Sequence, residues 1–141
     1  MPDRQETKRR KDNEMGDRAV VGIKERTDAP TLYVYLHWAG SVQDELLAIA
    51  LEKAMPRILM KDGAYAQRII VSQMVGDQWD SELGAGLYVG GTWHGGDYDT
   101  LKIVDIERQV VMTCAMSDSD DVRYEVDIET FLANVRRRAN A

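Results

Sequence analysis

At 141 residues and 16.0 kDa the chain has the size of one domain, and a hydrophobic content of 44% excludes a wholly disordered polypeptide. Its 18 Lys and Arg stand against 24 Asp and Glu, and the resulting net charge of −6 argues against general affinity for nucleic acid. No apolar run approaches the ~20 residues of a membrane helix, the N-terminus lacks the apolar stretch of a signal peptide, and the lone Cys114 offers no internal disulfide, so the expectation is a soluble cytoplasmic protein.

Residues 1–14 carry five basic and four acidic residues and nothing large and apolar beyond Met1, which predicts a disordered charged tail. Its run Lys8-Arg9-Arg10-Lys11 has the makings of a contact for RNA or an acidic partner, although such runs more often serve solvation. Residues 15–141 then form the single predicted domain, with 13 basic and 20 acidic residues.

Arg18 to Lys24 reads as a first strand, in which Gly22 suggests a bulge. A polar turn ending at Pro30 leads to Leu32–Trp38, whose alternation places Leu32, Val34, Leu36 and Trp38 on one face and Tyr33, Tyr35 and His37 on the other. The two strands predict an antiparallel hairpin. Ser41 and Asp44 have capping-box spacing ahead of a helix that Pro56 should end or kink around Met55. A second helix is expected over about 64–75, stopped by Gly76-Asp77.

Beyond it come a short strand at Leu87–Val89 and a glycine-rich segment, Gly90 to Thr100. A hairpin of Leu101–Ile106 with Gln109–Ala115 follows, then an acidic turn at 117–121 and a strand at Tyr124–Val126. Ile128, Phe131, Leu132 and Val135 recur at i, i+3, i+4 and i+7, predicting a C-terminal helix with Asp127 as its cap and Arg136–Arg138 at its end. The order ββ-αα-βββ-α lacks strand–helix–strand alternation. It predicts an α+β fold: one mainly antiparallel sheet of about five to six strands packed by helices.

Candidate chemistry is sparse. His94, Asp97 and Asp99, joined by His37 if the fold brings it near, have donors suited to zinc, iron or manganese, but the spacing H-G-G-D-Y-D matches no strong metal signature. Gly84-Ala-Gly86 fails as a dinucleotide fingerprint because Val89 stands where the third glycine belongs, and no phosphate-loop G-K-[ST] triplet occurs. Cys114 sits in an apolar strand as a small buried hydrophobe would, and no serine has a compelling base partner. No metal or cofactor is therefore expected.

The remaining signal is aromatic. Tyr35, His37, Trp38, Trp93 and His94, with the helix start at Ser41 and Arg68 from the second helix, form the candidate binding set for a small anionic or nucleotide-like ligand. Packing of a second sheet face, or a homodimer contact, is the favoured alternative use of the same aromatic residues.

The words Met15-Gly-Asp-Arg-Ala-Val-Val, Leu32-Tyr-Val-Tyr-Leu-His-Trp-Ala-Gly40 and Tyr65-Ala-Gln-Arg-Ile-Ile70 resemble a group of small uncharacterised proteins of actinobacterial phages and prophages. Those proteins open with M-G-D-R, carry a tyrosine-rich strand ending in H-W-G-G, and continue with a helix containing Y-x-x-R-I-I. Ala39 replaces the first glycine of the H-W-G-G element here, and the residues before Met15 depart from the pattern. The resemblance covers about residues 15–91. It implies a phage origin and the cytoplasm of a bacterial host, with no established activity, and draws attention to His37, Trp38, Gly40 and Arg68. Small acidic phage proteins often act by binding host enzymes or nucleotide signals, an analogy of origin. The functional expectation is a non-enzymatic binding protein, possible as a homo-oligomer, that captures a host protein or a small nucleotide-like ligand. The alternative is a small metal-assisted hydrolase built on His94, Asp97, Asp99 and His37. A virion accessory protein is a third expectation.

Overall fold

A computed structural model of the chain describes residues 18–37, 39, 42–93, 101–115 and 118–140. The strands β1 (Ala19–Lys24), β2 (Thr31–Leu36), β3 (Ala85–Gly90), β4 (Leu101–Asp105), β5 (Val110–Ala115) and β6 (Asp118–Asp127) form one sheet in the order β3-β2-β1-β4-β5-β6. Four neighbouring pairs are antiparallel and one, β1 with β4, is parallel. Helices α1 (Gln43–Leu59), α2 (Gly63–Val75) and α3 (Ile128–Ala139) pack on one face of the sheet. The expected α+β architecture is thus observed, with a parallel pair at its centre. That pair arises because the chain leaves β1 through β2, both long helices and β3 before returning to β1's other side.

The expected alternation in β2 holds. Val34 and Leu36 join the helix-side core with Val21 and Ile23 from β1, and are covered by Leu47, Leu51, Ile58, Ile70 and Phe131. Burying a side chain of this kind contributes roughly 1.5–3 kcal/mol, and here the contributors come from all three helices. Tyr33 and Tyr35 face the other way, beside Val20, Leu101, Ile103 and Cys114. Both sheet faces are therefore packed. Burial also raises the Cys114 thiol to about 11.

Four local expectations are corrected. Gly22 is no bulge: it stays in register with Tyr33 on one side and Ile103 on the other. A Cβ there would lie 2.7 Å from Thr31 Cγ2 and 3.0 Å from Tyr33 Cε1, so the glycine makes room for the tyrosine ring. Pro56 does not end α1, which continues to Leu59. The proline removes one ladder hydrogen bond, but the fully buried Ala54 and Ile58 on either side hold the last turns against the core. The N-cap of α1 is Val42, which has no capping hydrogen bond; Ser41, the expected cap, lies outside the described residues. The acidic segment from Asp118 to Asp121 forms the start of β6 rather than a turn, with Asp118 paired to Ala115 of β5 beyond register shifts at Thr113–Ala115.

Other expectations hold. Asp127 Oδ1 accepts the Thr130 amide at 2.7 Å and caps α3, and this bond holds the Asp127 carboxyl below its usual value. Gly76, at φ 59°, stops α2. The predicted tail, residues 1–14, lies outside the described residues.

Candidate functional site

β4 has the sequence Leu-Lys-Ile-Val-Asp and is buried along its whole length. Pairing sets which way each side chain points. Leu101 and Ile103 sit opposite Val20 and Gly22, on the aromatic face, so Lys102 must share the helix face with its partners Val21 and Thr113. A lysine is thereby drawn beneath the helices, where only 6% of it remains exposed.

Its ammonium donates to Thr113 Oγ1 at 2.8 Å. Asp44 Oδ1, from the first turn of α1, lies 3.9 Å away, and the ring of Tyr124 on β6 lies 5.6 Å from Nζ. Asp44 also pairs with Arg138 at the end of α3, at 3.2 Å. These residues line a cleft of about 220 Å³ together with Val111, Val126, Phe131, Asn134 and Arg137. Three cations and one carboxylate face this space, on a chain whose net charge is −6.

Magnitudes show what the cleft lacks. A charge pair at about 4 Å contributes roughly 4 kcal/mol at an effective dielectric constant near 20. Withdrawing an ammonium from water costs several kcal/mol, so one carboxylate and the neutral partners Thr113 and Tyr124 at best balance the burial of Lys102. Arg138 draws on the same carboxylate. The pocket is thus short of negative charge, and an incoming anion would be held by charge-assisted hydrogen bonds. At the rim, Tyr124 is 58% exposed. A hydrogen bond with Thr113 and the charge of Lys102 hold its hydroxyl below the ordinary tyrosine value.

The residues singled out in the sequence lie elsewhere. Tyr35, His37 and Trp93 do come together on the aromatic face: the Tyr35 ring is 6.3 Å from His37 and stacks at 6.5 Å on Trp93, with Arg18 above it at 5.8 Å. Tyr33 and Tyr88 complete the cluster. Tyr33 is fully buried; its hydroxyl donates to Gly91 O at 2.9 Å and lies 3.1 Å from Ser119 Oγ. Ser119 in turn accepts the Trp93 amide at 2.7 Å. These bonds tie the segment after β3 down across the sheet to β6, and the aromatic group packs that face. Arg68 does not join it, because α2 runs along the opposite face and Arg68 is exposed there. Trp38, Ser41 and His94, with Asp97 and Asp99 of the metal alternative, lie outside the described residues. Among the described residues no group of three or more His, Cys, Asp or Glu is placed to hold a metal ion.

Sequence reasoning missed Lys102. The available signal was a single lysine inside an otherwise apolar strand, together with the arginine run that ends the last helix. No protein-family model, curated protein or solved structure matches this chain. Among the described residues no helix is long and apolar enough to cross a membrane.

Proposed function

We propose that the protein is a non-enzymatic binding protein, acting in a bacterial host, that captures a small anionic, nucleotide-like ligand in the Lys102 cleft. The buried ammonium at the cleft floor carries this proposal, since its protein neighbours leave it under-neutralised. Arg138 and Arg137 supply further positive charge at the mouth. The volume of about 220 Å³ is below that of a drug-sized site and suits a phosphate-sized group. Tyr124 offers the rest of such a ligand a ring on which to stack.

Isothermal titration calorimetry with inorganic phosphate and adenosine monophosphate tests this, in the parent chain and in Lys102→Met. The parent should bind the nucleotide more tightly than phosphate, and added salt should weaken both. Lys102→Met removes the central charge from a desolvated contact, so affinity should fall by about a hundredfold. Absence of binding to either anion at about 10 mM, or equal binding by Lys102→Met, would overturn the assignment.

A further inference from the structure

The two outer strands of the sheet are built very differently. β6 carries Asp118, Asp120, Asp121, Glu125 and Asp127, with Arg123 the single base, and its pairing with β5 is broken by register shifts. Charge and irregularity are the usual means by which an edge strand refuses another chain. β3 has neither. From Leu83 to Trp93 the sequence contains no charged residue and no proline, and β3 pairs in unbroken register with β2 over all six of its residues. Leu87, Tyr88 and Val89 are 51%, 48% and 64% exposed, and Leu83 just ahead of them is 77% exposed.

We propose that β3 pairs antiparallel with β3 of a second copy of this chain, extending the sheet across a two-fold axis. The edge sequence selects the occupant: Gly86-Leu87-Tyr88-Val89-Gly90 is symmetric about Tyr88, so a two-fold sets each residue against one of its own kind. Two copies at −6 each repel over most of their surfaces, and an uncharged edge is where they can meet without setting like charges opposite one another. Geometry agrees. A two-fold axis perpendicular to the sheet keeps both sets of helices on the same side, so residues of equal face must oppose one another. Centred on Tyr88, that register sets Leu87 against Val89 of the second copy, and Val89 against its Leu87. The four aliphatic side chains cover one another on the helix side. Gly86 and Gly90 fall opposite each other, and the two Tyr88 side chains meet on the aromatic side.

This interface is separate from the Lys102 cleft, which lies towards the other edge of the sheet, so each proposal can fail alone. Sedimentation velocity from about 1 to about 100 µM tests it. The parent chain should sediment at twice 16.0 kDa at the upper concentrations. Leu87→Lys and Val89→Lys should each shift it to the single-chain mass, with circular dichroism unchanged, because both side chains are exposed. Val122→Lys on β6 should leave the dimer intact. A parent chain that stays monomeric throughout would overturn the proposal, as would a dimer that persists in both β3 lysine variants. So would a mass increase that comes only from a foreign polypeptide.

Discussion

On the face away from the helices, the buried hydroxyl of Tyr33 has a carbonyl acceptor and a serine hydroxyl within 3.1 Å. On the helix face, the almost equally buried ammonium of Lys102 has the Thr113 hydroxyl at 2.8 Å, the Tyr124 ring at 5.6 Å and a carboxylate at 3.9 Å that it shares with an arginine. The first is a satisfied polar group locking two layers together. The second is a charge whose surroundings leave room for another partner. Burial alone would rank these side chains together; what separates them is whether their neighbours complete them. The aromatic cluster packs its face of the sheet, although Trp93 Nε1 remains there as a buried donor without a hydrogen-bond partner among the described residues, and the lysine forms the floor of the proposed site.

This contrast can be broken by substitution. The largest expected effect is that of Lys102→Met, which should weaken anion binding about a hundredfold while leaving thermal stability equal or slightly raised, since an apolar chain of similar length replaces an incompletely paired ion. A large loss of stability in that variant would show that the lysine holds the fold together. On the aromatic face the pattern should invert. Gly22→Ala places a methyl group against Thr31 and Tyr33 and should cost about 1–3 kcal/mol in chemical denaturation, with anion affinity unchanged. Tyr33→Phe leaves Gly91 O without its donor and should cost about 1–2 kcal/mol, again without altering affinity.

The smallest effect sharpens the description of the cleft. Tyr124 should ionise below the ordinary tyrosine value, because Thr113 and Lys102 favour its phenolate. The depressed value means that the folded state releases this proton before the unfolded chain does, so the stability it contributes appears as pH rises and is lost as pH falls through the folded value. Ultraviolet difference titration should show an early tyrosine step in the parent chain that Tyr124→Phe lacks. Persistence of the early step in that variant would remove Tyr124 from the electrostatics of the cleft.

Local patterns carried much of the fold. The alternation of Leu32–Leu36 is a period-two signal that survives because each strand face meets a different layer. The terminal helix was legible down to its Asp127 cap, because capping is a contact between residues three apart. Where sequence reading went astray, distant contacts had overridden local preference. Pro56 stays inside a helix because the core holds Ala54 and Ile58, and Gly22 is shaped by a ring that arrives from the neighbouring strand. The acidic start of β6 is extended because distant partners hold it: Asp118 pairs with Ala115 of β5, and the Ser119 amide donates to Trp93 O at 3.1 Å, which outweighs a composition typical of turns.

The candidate site shows the same division. By itself the amino-acid sequence determined the α+β architecture, the alternating faces of the β2 strand and the capped terminal helix, since each depends on residues a few positions apart. Only the tertiary structure decided that Lys102 points beneath the helices and meets Asp44, Thr113, Tyr124 and Arg138. Those partners come from two helices and two other strands. The direction of the lysine follows from the parallel register of β4 on β1, a long-range pairing that leaves no periodic trace in the chain.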